Sequence, residues 1–165
     1  MGPQRHARRS FIRTMKGDDY RKGALKRLSD GRILLRAGQH AGSAYAAGRA
    51  VEGMLRAVIW KRDDDVRKGV KSLDTGHDLR ELLTRVRNLG LLTEPPSRRD
   101  ALHQDVQQIA RLWFNNMRFA SSKFVESRWY NLGEVRKGRT LKQATESFYF
   151  ACERVVMRCE VLCQR

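Results

Sequence analysis

The chain has 165 residues, with 34 Lys and Arg against 18 Asp and Glu, for a net charge of +16. That length suits one hydrophobic core and is too short for two domains of ordinary size. No apolar run approaches the roughly 18–20 residues of a membrane-spanning helix, and residues 1–16 lack the apolar stretch of a secretory signal. The cysteines, Cys152, Cys159 and Cys163, fall in one late segment and do not make a secreted disulfide framework, so a cytoplasmic protein with reduced thiols is expected.

The positive charge is concentrated in two stretches. Residues 1–38 carry a net of +8 and residues 116–140 a net of +4, while the remaining segments are close to balanced. Two basic surfaces of this kind attract polyanions, chiefly nucleic acid.

In chain order, residues 1–17 read as a flexible basic arm containing Arg8, Arg9 and Arg13, followed by a single helical domain over 18–165. A helix begins near Asp18 and Asp19, carries Ala24, Leu25, Leu28, Leu34 and Leu35, is weakened at Gly31 and stops near Gly38. The next, from about His40 to Arg62, has an apolar stripe and small residues (Ala44, Ala47, Gly48, Ala50) that admit a neighbouring helix closely. Residues 66–76 read as a charged loop. A short amphipathic helix then carries Leu79, Leu82, Leu83, Val86 and Leu89, closed by Gly90. Ser97 with Asp100 resembles a capping box and opens a fourth helix through Trp113. Residues 116–138 lose the period and read mostly as loop, with a short helical turn around Phe124. A last helix runs from Leu141 to about Leu162, with its cysteines on the core stripe. No strand pattern, internal repeat or low-complexity tract is present. The fold class expected is all-α, an antiparallel bundle of four to five helices.

Three features occur in order: Tyr45 to Ala57, in which a Tyr and small residues precede Ala50-Val51-Glu52 and Leu55-Arg56-Ala57; Gly76-His77-Asp78-Leu79; and Arg118-Phe119 after the fourth helix. Together they resemble the HEPN domain (higher eukaryotes and prokaryotes nucleotide-binding) over roughly residues 20–163. The resemblance implies a HEPN-like bundle, homodimers, and RNA cleavage or binding in toxin–antitoxin or defence systems, with some relatives accompanying nucleotidyltransferases.

In the ribonucleases of that family four to six residues separate an Arg from a following His, which acts as base without a metal. Here Arg118 fits the Arg position, but Lys123, Phe124 and Val125 stand where the His would be. A lysine with its ordinary pKa near ~10.4 is a poor base at neutral pH unless burial or a neighbouring cation lowers it. Binding survives that loss better than catalysis. Arg118, Lys123, Arg128, Arg136, Lys137 and Arg139 can contact phosphates, with Arg8, Arg9 and Arg13 adding to them, and Trp129 and Tyr130 offer faces for stacking or, alternatively, pack beneath a loop.

Glu52 reads as a buried partner for an Arg, and His77 and His40 as helix-opening residues. The cysteines have no metal-site spacing, and neither a phosphate-binding Gly-rich loop nor a paired-His zinc motif is present, so no metal or cofactor is expected. Three readings follow. The first is an RNA-binding HEPN-like dimer without the usual His, regulatory or toxin-like. The second is a metal-independent endoribonuclease with a substitute base, Lys123 or a His from elsewhere. The third is a module that meets an acidic protein, such as an antitoxin, or a nucleotidyltransferase.

Overall fold

The computed structural model describes residues 15–74, 76–90 and 95–164, and every regular element among them is helical. The helices are α1 (Gly17–Arg36), α2 (His40–Arg62), α3 (Asp64–Arg67), α4 (Leu79–Asn88), α5 (Pro96–Leu112), α6 (Ser122–Asn131) and α7 (Leu141–Gln164), with a 3-10 turn at Asn115–Phe119 before α6. No helix among the described residues is long and apolar enough to cross a membrane.

Small side chains set the spacing of α1 and α2. A β-carbon on Gly53 would stand 3.3 Å from that of Ala24, and one on Gly31 would stand 3.3 Å from the carbonyl of Ser43. The hydroxyl of Ser43 donates to the carbonyl of Gly31 at 2.9 Å across the same gap. Gly31 is therefore a contact between backbones and not a weak point of α1. The two helices run antiparallel, joined by a turn in which Gly38 takes a φ of 72°.

The last helix, α7, runs parallel to α2 and antiparallel to α1 and α5. Lys61 and Arg62, at the end of α2, donate to the carbonyls of Cys163 and Leu162 at 2.9 and 2.8 Å, capping the C-terminus of α7 with cations. Arg21 and Arg32 on α1 pair with Glu160 and Glu153 on one flank of α7, and Arg154 pairs with Asp105 of α5 on the other, at 2.7 Å. Phe148, Cys152, Val155 and Cys159 lie inside, each no more than 1% exposed. Burial pushes the thiol of Cys163 up to about 11, so the protonated form is the stable one in the folded chain.

Several expectations are corrected. Residues 116–138 are not mostly loop, since α6 and the end of the 3-10 turn together occupy fourteen of the 23. Residues 66 and 67, at the start of the stretch expected as a charged loop, belong to a helical turn, Asp64–Arg67, capped by Asp63. The box at Ser97 does not form: Pro95 is the N-cap and Pro96 opens α5, because a ring that fixes φ suits the first helical position and leaves Ser97 inside the helix. The basic arm loses its last residue to α1, for Gly17 is already helical and lies against the indole of Trp60. The rest of the arm, with Arg8, Arg9 and Arg13, lies outside the described residues.

Candidate nucleic-acid interface

Between the end of α5 and the start of α7 the chain builds a small platform rooted in the core at few points. Trp113 ends α5 with extended backbone and lays its indole over Gly48 of α2, where a β-carbon would collide with it. The 3-10 turn buries Met117, and Ser121 then caps α6, accepting from the backbone N–H of Phe124 at 3.2 Å. Val125 and Trp129, one turn apart, are the buried residues of α6. Trp129 rests on Phe148 with ring centroids 5.4 Å apart, and its Nε1 donates to the carbonyl of Leu112 at 3.3 Å. Trp129 thus belongs to the core and presents no face to a base; of the two expected stacking residues only Tyr130 is exposed.

With Val125 and Trp129 turned inward, helical geometry sends Lys123, Ser127 and Tyr130 outward within roughly 60° of arc, with Phe124 and Arg128 on one flank. Phe119, Tyr130 and Phe124 are 79%, 63% and 55% exposed. The guanidinium of Arg118 lies 4.6 Å from the ring centre of Phe119, and that of Arg128 lies 4.6 Å from Phe114, which meets Phe124 edge-on at 6.2 Å. Each such cation–ring contact is worth about 0.5–1 kcal/mol at an exposed site, enough to orient a side chain without removing it from water. Phe124, Ser127, Arg128, Asn131 and Leu132 line a groove of about 340 Å³.

Carboxylates are scarce on this face. From 112 to 133 the one acid is Glu126. Glu134, which follows, is buried and held by Arg111 and by Arg139 at 3.0 Å. Arg139 is therefore committed to a protein partner and contributes less than expected, whereas Arg136 and Lys137 are exposed in a turn closed by the bridge between Arg136 and Arg139. Among the described residues Arg118, Lys123 and Arg128 form no ion pair. Lys123 stands exposed on α6, without the desolvated surroundings that a lysine base requires.

A second constellation lies between α1, α2 and the loop before α4. Glu52 is 3% exposed and receives Arg49 Nη1 at 2.6 Å, Arg56 Nε at 3.1 Å and His77 Nδ1 at 3.0 Å. Arg56 continues to the carbonyls of Leu73, at 2.9 Å, and Gly76, tying the loop to α2. A carboxylate only accepts, so in a hydrogen bond to Glu52 the Nδ1 of the imidazole is the donor, while Arg49 Nη1, which only donates, stands 3.1 Å from the same nitrogen. The ring meets Trp113 edge-on at 6.4 Å, which connects this cluster to the root of the platform. A cavity of about 420 Å³ opens beside it, lined by Tyr20, Arg27, Arg49, Glu52 and His77 among others.

Glu52 and His77 each stand out in the sequence, one as an acid within an apolar helix and the other before a helix cap. Their contact spans 25 residues of chain, and no local pattern encodes it. The exposure of Phe119 and Phe124 is likewise invisible to periodicity, because it depends on a 3-10 turn for the one and on α6 being a helix for the other. Compared with known protein families, with characterised proteins and with solved structures, the chain matches none.

Proposed function

We propose that this chain is an RNA-binding protein with a HEPN-like bundle, acting as a regulatory or toxin-like component of a toxin–antitoxin or defence system, and that the 3-10 turn and α6 form its RNA contact. The observation that carries this is the exposed stretch of residues 118–130, along which three exposed aromatic rings alternate in sequence with three cations that have no carboxylate partner among the described residues. Stacking on aromatic rings is worth about 1–3 kcal/mol per base and tolerates any sequence, while the cations follow the phosphates. Unpaired RNA meets both requirements, since its bases can splay onto the rings. The HEPN resemblance supports the same reading and adds the expectation that two copies pair.

The test is binding of an unstructured RNA in rising salt. Arg118, Lys123, Arg128, Arg136 and Lys137 together neutralise about five phosphates, for a log–log slope of about −3 to −4 at ~0.7 per phosphate of a single strand. Replacing Lys123 and Arg128 by Glu should lower affinity at least about tenfold and flatten the slope. Salt-independent binding, or none, removes the proposal.

A second reading is favoured by the pairing of Glu52 with His77. In a metal-independent endoribonuclease, Nε2 of His77 would take the proton of a 2′-hydroxyl and O2′ would attack phosphorus. The bond to O5′ then breaks, that oxygen receives a proton, and a 2′,3′-cyclic phosphate remains, with Arg49 beside the developing charge. Cleavage in the presence of a chelator that is lost in His77→Gln, with RNA affinity retained, establishes it. Cleavage that persists in that variant assigns the activity elsewhere.

A further inference from the structure

Six of the nine large apolar side chains exposed among the described residues fall into two groups, one on the 119–130 platform and the other Phe150, Met157 and Val161 on α7. The second group lies seven and four residues apart, on one line along the side of α7 opposite Phe148, Cys152 and Cys159. A surface helix needs one apolar stripe; α7 has two, facing in and out. They are 50%, 52% and 46% exposed, and the line runs about 16 Å at 1.5 Å per residue, close to three turns.

Where α7 begins, the line enters a groove of about 640 Å³ floored by Leu35, Tyr149 and Phe150 and rimmed by Arg32, Arg36 and Lys142 against Glu146. Arg32 is engaged by Glu153 and lies 5.8 Å from the ring centre of Tyr149. Arg36 and Lys142 are exposed and, among the described residues, have no ion-pair partner. We propose that this outward face of α7, with the end of α1, docks an acidic amphipathic helix of a protein partner. Its apolar residues would lie at i, i+4 and i+11 against Val161, Met157 and Phe150, with carboxylates reaching Arg36 and Lys142. Charge on this face selects that occupant over a second copy: a second α7, with three Lys and Arg against three Glu over Leu141–Gln164, brings no surplus of carboxylates, whereas an acidic helix neutralises the rim. The face shares no residue with the RNA contact and stands independently of it.

A labelled synthetic helix of about three heptads, with Leu at the seam and Glu elsewhere, tests the idea by fluorescence anisotropy against the full chain. Saturable binding is expected, weakened about tenfold or more by Met157→Glu and separately by Phe150→Glu, since centrally placed apolar anchors dominate such interfaces. Both positions face solvent, and two variants guard against one of them disturbing α7. Binding should be unchanged when Lys123 and Arg128 are replaced by Glu. Failure to bind overturns the proposal, as does equal binding of a peptide with Ser at the seam, which shows charge alone at work. Sedimentation of the chain alone supplies the last arm: a dimer dissociated by Met157→Glu gives this face to a second copy and overturns the acidic partner. Loss of RNA binding in the α6 variant, or its absence in the wild type, touches the RNA reading alone.

Discussion

The α1–α2 pair and the 113–131 platform use side-chain size in opposite ways. The helix pair is joined by what its residues lack: Gly31, Gly53 and Ala24 let two backbones meet along their length, with Ser43 bonding across the gap. The platform is joined by what its residues bring, namely Trp113 over Gly48, Met117 beneath the turn, and Val125 with Trp129 under α6. Many small contacts make a scaffold that tolerates the loss of any one. A few large anchors leave the rest of a segment free to face a ligand, and concentrate its stability in single residues.

That contrast is broken most severely at Trp129. Trp129→Ala should cost about 3–5 kcal/mol in urea unfolding and detach α6, so RNA affinity falls with it, as filling of the site by neighbours is incomplete for so large a side chain. Glu52→Ala comes next, at about 3 kcal/mol, because buried Arg56 loses its close partner and keeps only the exposed Asp74 at 3.9 Å. Glu52→Gln should cost less, since the amide still accepts hydrogen bonds. Gly48→Ala sharpens the comparison from the scaffold side: the indole of Trp113 has to move, at a cost of about 1–3 kcal/mol by the same measurement, and the platform moves with it.

Acid makes a smaller mark. The hydrogen bond from Arg21 holds the carboxyl of Glu160 below its usual range, with Gln164 and Lys61 helping against the opposing effect of burial. A carboxyl whose pKa is lower folded than unfolded contributes stability above the ordinary value near ~4.3 and loses it as the pH falls through the folded value. Glu160→Gln should therefore flatten the acid limb of the stability curve and leave its neutral plateau lower. The smallest effect belongs to Lys123 and Arg128 replaced together by Glu, where stability should fall by no more than about 1 kcal/mol, the worth of the Arg128–Phe114 contact, while RNA affinity drops, separating surface from scaffold.

The scaffold was far more legible in sequence than the platform. The span His40–Arg62 is written in its stripe of small and apolar residues, and α7 in a period kept from Leu141 to Cys163. Gly38 and Gly90 stand where positive φ values end helices. Ten residues of α6 with two buried positions give a period too few repeats to be seen, and the Ser, Asn and Gly around it imitate a loop. The cations of the proposed interface were readable from charge alone. Which aromatic rings face out was not, because burial of Trp129 is decided by Phe148 and by the carbonyl of Leu112, both distant in the chain. The same holds for the meeting of Glu52 with His77.

The bare α-carbon of residue 48 acts as a gauge for the platform. Since the indole of Trp113 occupies the volume that any side chain there would claim, each added methyl group would tilt the turn and α6 by an increment set from beneath. A graded series of replacements at that one hidden position would steer the spacing of rings and cations from inside the molecule, leaving every solvent-facing group chemically untouched.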